Sequence, residues 1–243
     1  MNSDNNSSPH PVNNELAHLQ LLHLADSALP IGSLSHSFGL ETLVAAEVLQ
    51  VSGLPDFLRG YLEEAGLLEA VACREAFHLL RTDALTFDTS RWLALNELLS
   101  ALKMARESRE ASTTLGRNFL QTVLRLGDFP ALQEAWHASQ GSNGMIHHSA
   151  AFGLASAALG FEENRAMLAY LHQLAACLIS ACQRLLPLGQ NAATRILWHL
   201  KPTIVTVAES SRGVTLESVN CATPLPDWGS MEHPALSTRL FIS

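Results

Sequence analysis

The sequence predicts an all-α protein, a single-domain bundle of roughly ten helices. Three observations predict it. Apolar residues recur at i, i+3, i+4 and i+7 through most of the 243 residues. No segment shows sustained period-two alternation bounded by hairpin turns. The composition, 47% hydrophobic and only 16% charged, suits one packed core in a chain of this length. A self-similar period of about 20–50 residues is absent, which excludes a solenoid.

Met1 to Asn14 is rich in Asn, Ser and Pro with almost nothing to bury, so residues 1–14 read as a disordered tail and 15–228 as the helical domain. The first helix carries Leu16, Leu19, Leu22 and Leu24 and ends at Asp26–Ser27. Leu29 to Gln50 follows. Pro30 and Gly32 mark a bend, Ser33, Ser35 and Ser37 can bond the free amides of a helix start, and Leu40, Leu43, Val44 and Val48 give one apolar face. Gly39 inside that pattern costs about 1 kcal/mol against alanine, which predicts the close approach of another backbone.

Pro55 sits where a first-turn proline belongs, opening a helix through Phe57, Leu58, Tyr61 and Leu62, with Gly66 as a break before Leu67–Arg81. Asp88–Thr89–Ser90 caps a helix whose Trp92, Leu95, Leu99 and Leu102 share a face. A charged patch, Arg106 to Glu110, leads into Ala111–Leu126, which Gly127 ends. Phe129 to Gln140 is a short helix, and Gly141-Ser142-Asn143-Gly144 is a break. Met145 to Leu159 has the small apolar composition of a helix packed on all sides. Leu171, Leu174, Leu178, Cys182 and Leu185 line the next helix, Pro187 to Gln190 is a joint, and a further helix runs to Lys201 and restarts at Pro202.

A net charge of −8 and a pI near 5.7 argue against nucleic acid or an anionic membrane as main partner, since both reward a basic face. Low charge content in an apolar chain points to surface hidden in an oligomer or complex. Cys73, Cys177, Cys182 and Cys221 form neither a CxxC pair nor a disulfide framework, and no secretory leader precedes them, so a reducing cytoplasm is expected. The longest apolar segments are short or interrupted by His172 and Gln173, so no membrane span is read.

Catalytic motifs are sparse. The chain lacks GxxxxGK[ST] and lacks GxGxxG after a strand. Ser35 beside His36 invites a hydrolase, or a helical small-molecule or metal-binding protein, but GSLSHSFG does not match GxSxG. Among eleven histidines none form HxxxH or HxH, and His147 and His148 point to different sides of a helix. His36 and His233 are the only metal candidates kept. The end of the chain, residues 229–243, carries Met231, Leu236, Leu240 and Phe241. Ordering about twelve such residues costs on the order of 12–24 kcal/mol. Burying Leu240 and Phe241 returns about 1.5–3 kcal/mol each. The expectation is a tail mobile alone and ordered by a partner.

Four separated stretches carry a resemblance. LPIGSLSHSFGLE (Leu29–Glu41) resembles the LPxGxxSxSxGLE segment of the UreF family of urease accessory proteins. RESREASTTLGRNF (Arg106–Phe119), ACQRLLPLGQ (Ala181–Gln190) and SMEHPALSTRLFIS (Ser230–Ser243) are similar to three further signatures, in the family's order. The resemblance implies an all-helical homodimer without catalysis of its own. It implies no cofactor bound by this chain, nickel and GTP being handled by partners. Those partners would be a UreD (UreH) scaffold, the UreG GTPase and apo-urease. Carried over by position, Ser35, Ser37, Gly39, Leu40, Glu41, Arg109, Glu110, Arg117, Arg184, Gly189 and Gln190 would be partner-binding surface. His233, Arg239, Leu240 and Phe241 would dock the tail. The chain departs from the family pattern at Leu34, where an aromatic is usual, and at Phe38, where glutamine is common. In the tail, Pro234, Ser237 and Ile242 replace a Glu, a Tyr and a final Arg.

Overall fold

The computed structural model describes residues 11–81, 86–141 and 145–243. Most of the expected N-terminal tail therefore lies outside the described residues, as do residues 142–144 of the glycine-serine break. Eleven α-helices are present among the described residues, with one two-residue antiparallel strand pair, Leu80–Arg81 with Thr86–Phe87. The all-α class is the observed one.

The centre is built on small residues. Helices α1 (Pro11–Leu24), α2 (Leu40–Ala45), α3 (Leu54–Tyr61), α4 (Leu67–Phe77), α5 (Thr89–Leu102), α6 (Arg106–Leu124) and α7 (Pro130–Gln140) precede α8 (His148–Ala158). Every residue of α8 from Ser149 to Ala157 is buried, and the helix lies between α4 and α6. Its Gly153 is what lets α4 come so close, since a Cβ there would strike the Cys73 carbonyl. Helix α9 (Glu163–Leu185) packs on α4, α8 and α10 (Gln190–Ser210). By length and hydropathy α9 could cross a membrane, but 61% of that stretch is buried inside the fold.

Several boundaries moved for local reasons. Helix α1 begins at Pro11, inside the stretch read as tail. Gly66 does not break the path. It ends a π-helical turn, Leu62–Gly66, that joins α3 to α4 without interrupting the coil. Pro202 lies inside α10 rather than restarting it. Leu200, Ile204 and Val207 stay buried on either side of the proline, so packing overrides a cost of about 3 kcal/mol. The patch at Arg106 to Glu110 is already the first turn of α6. Asp88 caps α5 as expected, its side chain accepting from the Arg91 amide at 3.0 Å. Helix α11 (Pro224–Glu232) covers α2 and α6, and a 3₁₀ turn, His233–Ala235, leads from it into the last residues.

Candidate functional site

The Leu29–Glu41 segment does not open a helix with its serines. Ser33–Ser35 is one 3₁₀ turn, and α2 starts at Leu40 with Gly39 as its N-cap and no side-chain cap. Ser33 instead donates to the Ser27 carbonyl at 3.2 Å. The helix ends at Ala45, so Val48, assigned to the apolar face, is 51% exposed.

Gly39 has φ 85, and a Cβ there would meet the Pro226 carbonyl and lie 2.9 Å from the Ser230 amide. The reciprocal residue is Gly229, whose own Cβ would lie 2.5 Å from the Gly39 carbonyl. Two glycines facing each other thus let α11 lie directly on the start of α2, the backbone approach expected of Gly39. A side chain on either would push the elements apart.

That approach delivers the end of the chain to Glu41. The Glu41 carboxylate is 7% exposed and accepts from the amides of Leu240 (2.6 Å) and Phe241 (3.1 Å), with His233 Nε2 at 2.9 Å. Burial works against its ionisation, but the Leu240 amide, the His233 ring and the Phe241 amide outweigh it and hold its pKa below the ordinary value of 4.5. His233 is fully buried, with Nδ1 2.9 Å from Glu107 Oε2 on α6. The approach of Nδ1 to Glu107 has the distance of an ion pair without the angles of a hydrogen bond.

The final residues are then fixed from both sides. Ser37 donates its amide to the Ser243 carbonyl (2.5 Å), and Ile242 donates to the Ser35 carbonyl (2.9 Å). His36 Nδ1 meets Ser243 Oγ at 2.7 Å. Phe241 is buried with the Arg184 guanidinium 4.2 Å above its ring, while Arg184 Nη1 donates to the Leu34 carbonyl. Arg239, Leu240 and Ile242 remain exposed, the last two at 53% and 70%.

The tail is therefore docked on its own chain, where the sequence predicted it mobile until a partner orders it. The prediction counted apolar side chains and missed the hydrogen bonds to one buried carboxylate. For the same reason Ser37, Gly39, Leu40 and Glu41 are buried and Ser35 half-buried, so the segment expected as open surface is the seat of the tail. Arg109 clamps the end of α5, donating to the carbonyls of Lys103 (2.6 Å) and Met104 (2.8 Å). Glu110 pairs with Arg106 on the exposed face of α6. Arg117, Gly189 and Gln190 are exposed and take no part in the hydrogen bonds around Glu41.

Sequence reasoning missed Glu107, Gly229 and Ser243. Gly229 carried a signal, since it stands four residues before His233 and so shares its helical face. Glu107 and Ser243 carried none. His233 has Glu41 and Glu107 at its two ring nitrogens, but among the described residues no group of three His, Cys, Asp or Glu is placed to hold an ion. Burial lowers the pKa of His36, and its bonded ring nitrogen faces Ser243 rather than Ser35. The pairing of Ser35 with His36 on which the hydrolase reading rests is not formed among the described residues.

Against known proteins, the family model described as UreF matches residues 48–201. The chain is 32% identical over 225 residues to a urease accessory protein UreF of Actinobacillus pleuropneumoniae, covering 92% of this chain and 97% of that protein. It is 33% identical over 232 residues to one of a Nostoc species (93% and 95%), and 32% identical over 239 residues to one of a Synechocystis species (93% and 98%).

Proposed function

The chain belongs to the UreF family of urease accessory proteins, and from that premise we propose that it is a non-catalytic adaptor in urease maturation. In this reading it joins a UreD (UreH) scaffold to the UreG GTPase in the cytoplasm, so that nickel reaches apo-urease without a cofactor resident in this chain. The observation that carries the reading is the docked tail. The buried Glu41 and Phe241 hold the backbone, and Arg239, Leu240 and Ile242 face outward as one cation and two apolar side chains on a fixed frame. Anchors already ordered cost less to bind than a disordered segment. A homodimer is part of the same proposal. Leu16, Leu19 and Leu22 of α1 are 52–63% exposed, and Leu22 also lines an apolar groove of about 590 Å³ between α1, α9 and α10.

The test is retention of the purified chain by immobilised scaffold. Arg239→Ala with Leu240→Ala should leave thermal melting unchanged, because both residues are exposed, and should weaken retention at least tenfold. Full retention by the double variant would place the interface elsewhere and sink the reading.

A further inference from the structure

Two adjoining cavities inside the bundle share Phe38, Leu115, His148, Tyr170 and Leu174 as walls. The outer one, about 90 Å³, also exposes Glu69, Lys103 and Asp227; the inner one, about 30 Å³, exposes Ser33, Gln173 and Cys177. Dry protein cavities are apolar; the outer cavity is of mixed polarity, and the mostly apolar inner one has Gln173 and His148 in its wall.

Two polar atoms, on residues that line the inner cavity, lack a partner among the described residues. Gln173 is 1% exposed; its Nε2 reaches the Asp26 carbonyl at 3.4 Å, and its Oε1 bonds nothing among the described residues. Exchanging the amide's two ends would set Oε1 against the Asp26 carbonyl, two acceptors, and leave both ends unpaired. His148 Nε2 is the second orphan, on a ring kept neutral because burial pulls its pKa down to about 4. A buried polar group left unpaired costs as much as a lost hydrogen bond, so a native core seldom leaves two beside one cavity.

The outer cavity makes an independent case. Lys103 and Glu69 form an ion pair with side chains only 13% and 12% exposed. The ammonium carries three donors, of which Glu69 Oε1 takes one, while Tyr170 OH donates to Glu69 Oε2. A buried pair recovers its desolvation cost only when the remaining donors are also satisfied. The wall beside it is made by Tyr61, the last residue of α3, and Ala65 of the π-helical turn that follows.

We propose that the two cavities are one water-binding site. A bound water occupies about 10–15 Å³ on this measure, so the inner cavity takes about two and the outer about six. The inner waters bridge Gln173 Oε1 and His148 Nε2, and the outer ones solvate Lys103 Nζ. Phe38 borders both cavities at φ 53, a backbone conformation that bulky residues avoid. The inference does not rest on the adaptor reading.

Two measurements test it. Gln173→Met is nearly isosteric and removes the amide together with its long Nε2 bond to the Asp26 carbonyl, so only an undiminished melting temperature is decisive from this variant. If water satisfies Oε1, the variant loses a real hydrogen bond and melts about 2–4 °C lower. An unchanged or higher melting temperature overturns the proposal, because deleting an unpaired group is neutral or stabilising. A high-resolution crystal structure of the unaltered chain decides independently of how the variant folds. Ordered density within hydrogen-bond distance of both Gln173 Oε1 and His148 Nε2 is the expected result, and an empty inner cavity refutes it.

Discussion

Replacing Glu41 with alanine should release the tail and leave the bundle intact. The Glu41 carboxylate accepts two main-chain amides, at 2.6 and 3.1 Å, and holds the buried His233 ring. Hydrogen bonds to a charged group are worth about 1.5–3 kcal/mol each, so the two amide contacts alone represent about 3–6 kcal/mol of docking free energy. Phe241, the only large apolar side chain of the last few residues that is buried, returns about 1.5–3 kcal/mol. The loss exceeds what the Phe241 anchor supplies, and the remaining hydrogen bonds of Ser35, Ser37 and His36 reach only Ile242 and Ser243, so the Leu240 and Phe241 amides open. Helices α6 and α9 reach that contact only through the Glu107 and Arg184 side chains, so global melting should change little while the tail opens locally. Amide hydrogen exchange reads both at once. In the variant, the Leu240 and Phe241 amides should lose protection by a factor of about a hundred or more, while those of α8 keep theirs. Glu41→Gln, which retains a neutral acceptor, should fall between. Protection of both amides surviving in Glu41→Ala would refute the reasoning, because some other contact would then hold the tail.

The same carboxylate sets a pH window. Its folded pKa is depressed, so its contribution is fully present above the unfolded value of about 4.5 and is lost as pH falls through the lower folded value. Tail protection should therefore be level from about pH 5 to 8 and collapse below about pH 4.5; a collapse near pH 6 would assign the control to a histidine instead. Gly39→Ala should lower melting by a few degrees and weaken scaffold retention, since its Cβ meets the Pro226 carbonyl and its φ of 85 disfavours any side chain. Gly53→Ala, with open space at its Cβ, is the matched control, and equal effects at the two sites would remove the special role of Gly39.

The local frame was legible because its causes are local. Trp92, Leu95 and Leu99 fall on one face of α5, and all three are buried. The run of small residues from Ala150 to Ala158 reads as a helix enclosed on all sides, and α8 is that helix. Gly39 was legible as a backbone approach because a glycine in an apolar helical pattern has few other reasons to be there. Helix ends were less legible. The serines before α2 and the proline within α10 obey propensities of about 1–3 kcal/mol, which tertiary packing overrides.

The sequence by itself determined the helical class, the central small-residue helix, the close-approach glycine and, through four stretches in register, the family. Only the tertiary structure decided that Glu41 is a buried acceptor rather than a surface charge, and that the tail is its ligand. Glu41 and Leu240 are 199 residues apart, and periodicity carries no information over such a distance. The deeper reason lies in the donors. They are the main-chain N–H groups of Leu240 and Phe241, which every residue except proline possesses, so no side-chain pattern encodes which pair will be used. Geometry made that choice, when Gly39 and Gly229 let α11 settle on α2 and carry the chain's last residues to the carboxylate.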